Sequence, residues 1–232
     1  MTEQQSSQDM PPLQVPLDEN VRAECAAVFI GGFGDWLTGR QFQAMRELSP
    51  WRPGRSEQRA YYHWDGGGLG FMRDDCLRIR DDLAAWREKH PQSPAVLCGH
   101  SYGGSAAMHI LRHLPEGEAP LILITLDAVG RRQLRTRAPR ITAWFNVYLQ
   151  PSATLVDCVP QIGGRWGHRP DADLNLAVDR RHRDLRQRVF AHNRPLPLIT
   201  DIPPEKPGYL HDLVTDVLLA ASTLPSGEAS RN

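Results

Sequence analysis

The chain has 232 residues, 41% hydrophobic and 23% charged, which suits one globular domain with a sizeable core and leaves little room for a second. Lys plus Arg and Asp plus Glu both total 27, so the net charge is zero and neither nucleic acid nor an anionic membrane is an expected electrostatic partner. No apolar run reaches the ~18 residues of a membrane-spanning helix, and polar, Pro-containing Met1–Asn20 lacks the apolar centre of an export signal. A cytoplasmic location is therefore expected, with signal-independent secretion as the other route. Cys25, Cys76, Cys98 and Cys158 are scattered without a C-x-x-C, as core thiols in a reducing compartment would be.

In chain order, residues 1–19 read as a disordered lead, 20–222 as a single domain and 223–232 as a flexible tail. Apolar runs predict strands at Ala26–Ile30, Ala60–Trp64, Ala95–Cys98, Leu121–Leu126 and Ile141–Leu149, with a weaker one at Leu196–Thr200. Met72, Cys76, Ile79, Leu83 and Trp86 recur at steps of four and three, the stripe of an amphipathic helix. Ala107, Ile110, Leu111 and Leu114 form a second stripe, stopped by Pro115-Glu116-Gly117. Leu210, Leu213, Val214, Val217, Leu218 and Ala221 outline a terminal helix after Pro207-Gly208. Strands alternating with helices argue for an α/β fold, a mainly parallel sheet with helices on both faces.

Between the third strand and the second helical stripe stands Gly99-His100-Ser101-Tyr102-Gly103-Gly104. G-x-S-x-G in a strand–turn–helix setting is a nucleophile elbow, in which small residues flank a serine on a turn too tight for larger ones. A serine hydroxyl is a weak nucleophile at neutral pH and needs a base, an acid to orient that base, and donors for the oxyanion. Behind an elbow serine these partners follow in the order acid, then histidine. Asp127, at the end of Leu121–Leu126, would emerge at the carboxyl edge beside the elbow; Asp157, in the loop after the next strand, is the competing acid. For the histidine, spacing alone leaves two residues open: His182, within a charged stretch, and His211, just before the terminal helix.

The backbone N–H of Tyr102 and an N–H of the Gly31-Gly32-Phe33-Gly34 loop, from Phe33 or Gly32, are the expected oxyanion donors. That loop lacks the Lys-Ser/Thr of a phosphate-binding loop and the full G-x-G-x-x-G of a dinucleotide site. His109 and His113 are four apart on a helix, but no Glu lies between them as in H-E-x-x-H, so neither metal nor cofactor is expected. Asp65-Gly66-Gly67-Gly68 reads as a strand-to-helix turn, with His63 and Trp64 able to line a pocket, and a small lid would fall in Arg131–Arg140 or Ile162–Asn175.

Val28-Phe29-Ile30-Gly31-Gly32-Phe33-Gly34-Asp35, the elbow, and Leu126-Asp127-Ala128-Val129-Gly130 together resemble bacterial lipase-like and thioesterase-like serine hydrolases of the α/β-hydrolase superfamily. Ala128 stands where that group tends to carry proline. The resemblance continues through Trp144–Tyr148, Gly163-Gly164-Arg165-Trp166-Gly167 and Ala172-Asp173-Leu174-Asn175 to His182, and covers residues 26–190. It implies an α/β-hydrolase fold, cleavage of a lipid, phospholipid or thioester substrate through an acyl-enzyme, and His182 as the base beside Ser101 and Asp127. The rival expectation is a hydrolase-fold protein that has lost catalysis and serves as a binding module.

Overall fold

The structure, a computed structural model, describes residues 14–63, 73–130, 136–150, 158–179, 181–202 and 205–223. The strands are β1 (Gln14–Val15), β2 (Cys25–Ile30), β3 (Glu57–Tyr62), β4 (Ala95–His100), β5 (Leu121–Leu126), β6 (Ala143–Leu149) and β7 (Leu174–Val178). The helices are α1 (Asp35–Thr38), α2 (Arg40–Glu47), α3 (Arg73–Lys89), α4 (Tyr102–His113), α5 (Cys158–Ile162), α6 (Pro195–Thr200) and α7 (Tyr209–Thr223). One sheet runs in the order β1-β3-β2-β4-β5-β6-β7, parallel throughout except for β1.

Every residue of β2, β4 and β5 is buried, because helices cover both faces and each strand must therefore be apolar at consecutive positions. Alternate side chains divide the core in two. Ala26, Val28, Ile30, Leu97 and Leu123 meet Cys76, Ile79, Leu83 and Trp86 of α3 and Ala107, Ile110 and Leu111 of α4. Phe29, Val96, Ile124 and Val147 face Met45 of α2, Leu198 and Ile199 of α6, and Leu210, Val214 and Leu218 of α7. Met72, at the head of the first predicted stripe, and Trp64 lie outside the described residues.

The structure departs from the expected strands towards the end of the chain. Leu196–Thr200 is not a strand but lies in α6, whose Pro195 occupies the first turn, where a missing N–H costs nothing. Among the described residues the last strand is β7, unheralded because an edge strand faces solvent in part and alternates with Asn175. Within the stretch 14–19, β1 pairs antiparallel with β3, and buried Leu17 donates its N–H to Tyr62 Oη at 3.0 Å. Burial and the nearby Asp82 carboxylate hold the Tyr62 phenol well above its ordinary range, so it remains a donor to Asp82 Oδ2 at 2.8 Å.

All the parallel strands end at one edge of the sheet, where the chain passes into α1, α4 and the segment after β5. A cavity of about 560 Å³ lies at the opposite edge, among Arg87, Glu88, Pro115 and Glu118, away from the elbow. Among the described residues no helix is long and apolar enough to cross a membrane.

Candidate active site

Ser101 sits between β4 and α4 with φ 55° and ψ −125°, a backbone conformation that L-residues rarely adopt. Neighbouring chain holds it there. The Ser101 N–H donates to Leu126 O, while Ser101 O accepts from Gly104 N and Val129 N, all at 3.0 Å. The glycines make this packing feasible: a Cβ on Gly99 would stand 2.4 Å from Gly103 O, and one on Gly103 would stand 2.1 Å from Ile30 O. Two residues before the turn begins to bend, the Cys98 thiol is pushed up to about 12 by burial, which outweighs its hydrogen bond from Gln41, so it is no rival nucleophile.

Asp127 follows β5 directly, has φ 44° and is wholly buried. Its N–H donates to Val147 O at 2.7 Å, and its Oδ1 accepts the Leu149 N–H at 3.2 Å. Its Oδ2 receives two donors, His192 Nδ1 at 2.6 Å and Arg165 Nη2 at 3.0 Å. The opposite ring nitrogen of His192, Nε2, lies 2.9 Å from Ser101 Oγ. Because a carboxylate only accepts, the Asp127 contact places the proton on Nδ1 and leaves Nε2 to accept from the serine hydroxyl. One imidazole therefore bridges the serine and the carboxylate.

The histidine in this position is His192, neither of the two that spacing leaves open. His182 is exposed on the turn after β7, its N–H bonded to Asp179 O at 3.1 Å, and none of its described contacts reaches Ser101 or Asp127. His211 lies at the head of α7, stacked on Trp51 with ring centroids 5.1 Å apart, and donates from Nε2 to Pro50 O at 3.0 Å. His192 stands instead on the loop between β7 and α6. Within that loop buried Asp184 accepts from the Arg188 N–H and Nε at 2.6 and 3.0 Å and pairs with Arg194, while Phe190 is fully buried. Burial works against the Asp184 charge, but these hydrogen bonds outweigh it and hold the carboxyl below its ordinary range. The competing acid Asp157 lies outside the described residues, as do Asp65-Gly66-Gly67-Gly68 and positions 131–135 of the expected lid.

His100, next to the serine, went unremarked as a functional residue in the sequence. Its Nε2 donates to His192 O at 2.5 Å and its ring lies 5.0 Å from the His192 ring, so the loop bearing His192 hangs from the residue before Ser101. Burial, reinforced by the neighbouring His192, pushes the His100 imidazole down to about 3 against an ordinary 6.5. Below pH 6.5 an unfolded chain would gain a proton here that the native ring refuses, so stability must fall as pH drops from 6.5 towards 3. At pH 5 this amounts to ~2 kcal/mol. Urea unfolding at pH 7 and pH 5 should therefore show a smaller acid loss in His100→Gln than in the wild type; equal losses would assign the acid sensitivity to other groups.

The loop after β2 reaches the serine from the other side. A Cβ on Gly32 would stand 2.5 Å from Ser101 Cβ and 3.0 Å from Ser101 Oγ, so backbone approaches the serine where a side chain would intrude. Asp35, at the head of α1, pins this loop: it is buried and accepts from Tyr61 Oη at 2.7 Å and from the Gln41 N–H at 3.1 Å. Phe33, Trp36 and Leu37 are exposed on the same segment. The Tyr102 N–H begins α4, directly after Ser101. His63, at the end of β3, is buried.

Residues 163–167 close the site from the α5 side. Gly130 N bonds Gly164 O at 3.1 Å, Trp166 N bonds Ala128 O at 2.9 Å, and Asn146 Nδ2 donates to Gly167 O at 2.9 Å. A Cβ on Gly163 would stand 2.5 Å from Tyr102 Oη. This lacing brings Arg165 onto Asp127. Among the described residues no three His, Cys, Asp or Glu side chains cluster as metal ligands would, and His109 and His113 only pack ring to ring at 4.6 Å.

The sheet order, with its elbow at the carboxyl end of a central strand, defines an α/β-hydrolase fold. No protein-family model and no curated protein matches the chain. Among solved structures it is similar to the NocB thioesterase domain from the nocardicin cluster, with 14% identity, TM-score 0.42, and 89% of this chain and 98% of that one covered. It is also similar to the Vlm2 thioesterase domain bound with a dodecadepsipeptide, with 10% identity, TM-score 0.40, and coverage of 88% and 97%. A covalent complex of the NocB domain with a fluorophosphonate nocardicin G analog gives 14% identity, TM-score 0.40, and coverage of 91% and 100%.

Proposed function

We propose that the chain is a serine hydrolase that cleaves carboxylic esters or thioesters through an acyl-enzyme. The observation that carries this reading is the single imidazole of His192, 2.9 Å from Ser101 Oγ and 2.6 Å from Asp127 Oδ2. In this mechanism Ser101 Oγ attacks the carbonyl carbon as its proton passes to His192 Nε2. Asp127 keeps the ring in the Nδ1–H tautomer and stabilises the imidazolium that forms. The N–H groups of Tyr102 and Phe33 receive the oxyanion, the first at the start of α4 and the second on the loop whose Gly32 touches the serine. The tetrahedral intermediate expels the alcohol or thiol, which takes the proton back from Nε2. Water then repeats the sequence on the acyl-enzyme and releases the acid.

Exposed Phe33, Trp36 and Leu37 beside this loop suit a substrate with an apolar acyl group, in keeping with a lipid or thioester substrate. The test is covalent labelling by an alkyl fluorophosphonate together with hydrolysis of a short and a long p-nitrophenyl ester. Labelling confined to Ser101, with turnover of at least one ester, is expected. A folded wild type that neither labels nor turns over either ester would instead favour a binding module.

A further inference from the structure

We infer that Arg165 is a positioning residue that sets the charge seen by the base through Asp127, and so fixes how far into acid the reaction runs; this rests on the reading of Ser101, His192 and Asp127 above. Arg165 and Asp127 side chains are 6% and 0% exposed, so the pair is withdrawn from water, where a guanidinium is costly to place. The pairing is specific in its atoms. Arg165 Nη2 lies 3.0 Å from Oδ2, the oxygen that also accepts from His192 Nδ1 at 2.6 Å, while Oδ1 takes the Leu149 N–H.

The backbone around Arg165 delivers it there: Arg165 bridges Val129 antiparallel, its N–H donates to Pro160 O at 2.9 Å, and Gly164 and Trp166 on either side bond Gly130 and Ala128. The strip after the acid and the strip bearing the arginine are thus laced together one residue from the carboxylate.

A buried aspartate alone would hold the imidazolium with its full negative charge. Sharing that charge with a guanidinium weakens the hold, so taking the guanidinium away strengthens it and favours the protonated ring, which cannot accept the serine proton. Among the described residues the His192 ring has His100 at the end of β4 beside it and Asp127 after β5 bonded to it, Arg165 on the α5 side shares that carboxylate, and Arg194, two residues along the loop, pairs with Asp184 instead. His100 is neutral in the native state over the range concerned, so Arg165 is the cation of the group.

The experiment is the rate of fluorophosphonate labelling at Ser101, and kcat/KM for a p-nitrophenyl ester, from about pH 4 to 9 in the wild type, Arg165→Gln, Arg165→Met and Arg165→Lys. Each variant is first checked for a cooperative melt. Loss of the cation in Gln and Met is expected to move the acid limb of both profiles to higher pH by about one unit, with Lys overlaying the wild type. Profiles of Gln and Met that fall in height but keep the wild-type limb would show a merely structural residue and overturn the inference. A limb displaced equally in Lys would do the same, as would the failure of both neutral variants to melt cooperatively. Absence of labelling in a folded wild type would overturn the catalytic reading itself.

Discussion

Replacing His192 by alanine should lower kcat by about 10⁴ to 10⁶, as should Ser101→Ala, and the double variant should be no slower than either alone. The non-additivity follows from the proposed mechanism, in which the serine is activated only through the ring that bridges it to Asp127, so removing one member leaves the others nothing to act on. Asp127→Asn should cost about 10⁴ by favouring the wrong tautomer. His182→Ala should change turnover by less than about twofold, since an exposed turn residue carries little energy. Ester turnover measured with the melting temperature of each variant decides between the two histidines. A silent His192→Ala beside an inactive His182→Ala would return the base to the turn after β7.

The largest loss of stability is expected from Gly103→Ala. The added Cβ would meet Ile30 O at 2.1 Å and Gly31 O at 2.7 Å, both backbone atoms that no rotamer change can move aside. Relief requires α4 to retreat from β2, or the loop after β2 to lift, at a cost of ~3 kcal/mol or more. For a domain of this size that lowers Tm by about 6–12 °C. Activity should fall with it, because the displaced loop is the one carrying Gly32 beside the serine. Gly34→Ala is the contrasting case: its φ is 75° but no atom lies within 4 Å of the new Cβ, so only the backbone cost of ~1 kcal/mol applies. Thermal denaturation of the two variants separates collision from conformational strain; equal Tm values would remove the close approach of α4 and β2 as the explanation.

These cases also show what the sequence made legible. The central strands could be read because burial on both faces demands uninterrupted apolar runs, and Leu121–Leu126 was bounded to the residue. α3 and α4 were readable from their stripes, since each packs one side on the sheet. The elbow was readable because its turn admits only small residues in a set order, and the end of β5 pointed to Asp127. β7 is an edge strand with intermittent polarity, and the proline-rich run at 195–200 imitates a strand. Taking 195–200 as the last strand puts the base at His211, while the choice of His182 over it rests on the family resemblance alone. With β7 as the last strand, the base falls in the loop from 179 to 194, but choosing within it depends on the Asp184 turn and on Phe190 entering the core. Arg165 was similarly hidden, being one arginine in a glycine-rich stretch whose role depends on contact across 38 residues of chain.

The Ser101 carbonyl, bonded to both Gly104 N and Val129 N, joins the nucleophile and the strip after the acid into a single frame, whereas His192 reaches that frame on a loop hung from the His100 ring. Competence and foldedness are therefore distinct quantities in this chain. Under the proposed mechanism a molecule works only when that loop is seated as well as the sheet folded, and the global free energy of unfolding is the upper bound on the loop's own opening. A population can lose its base while every strand of the sheet is still in register, and recover it without refolding.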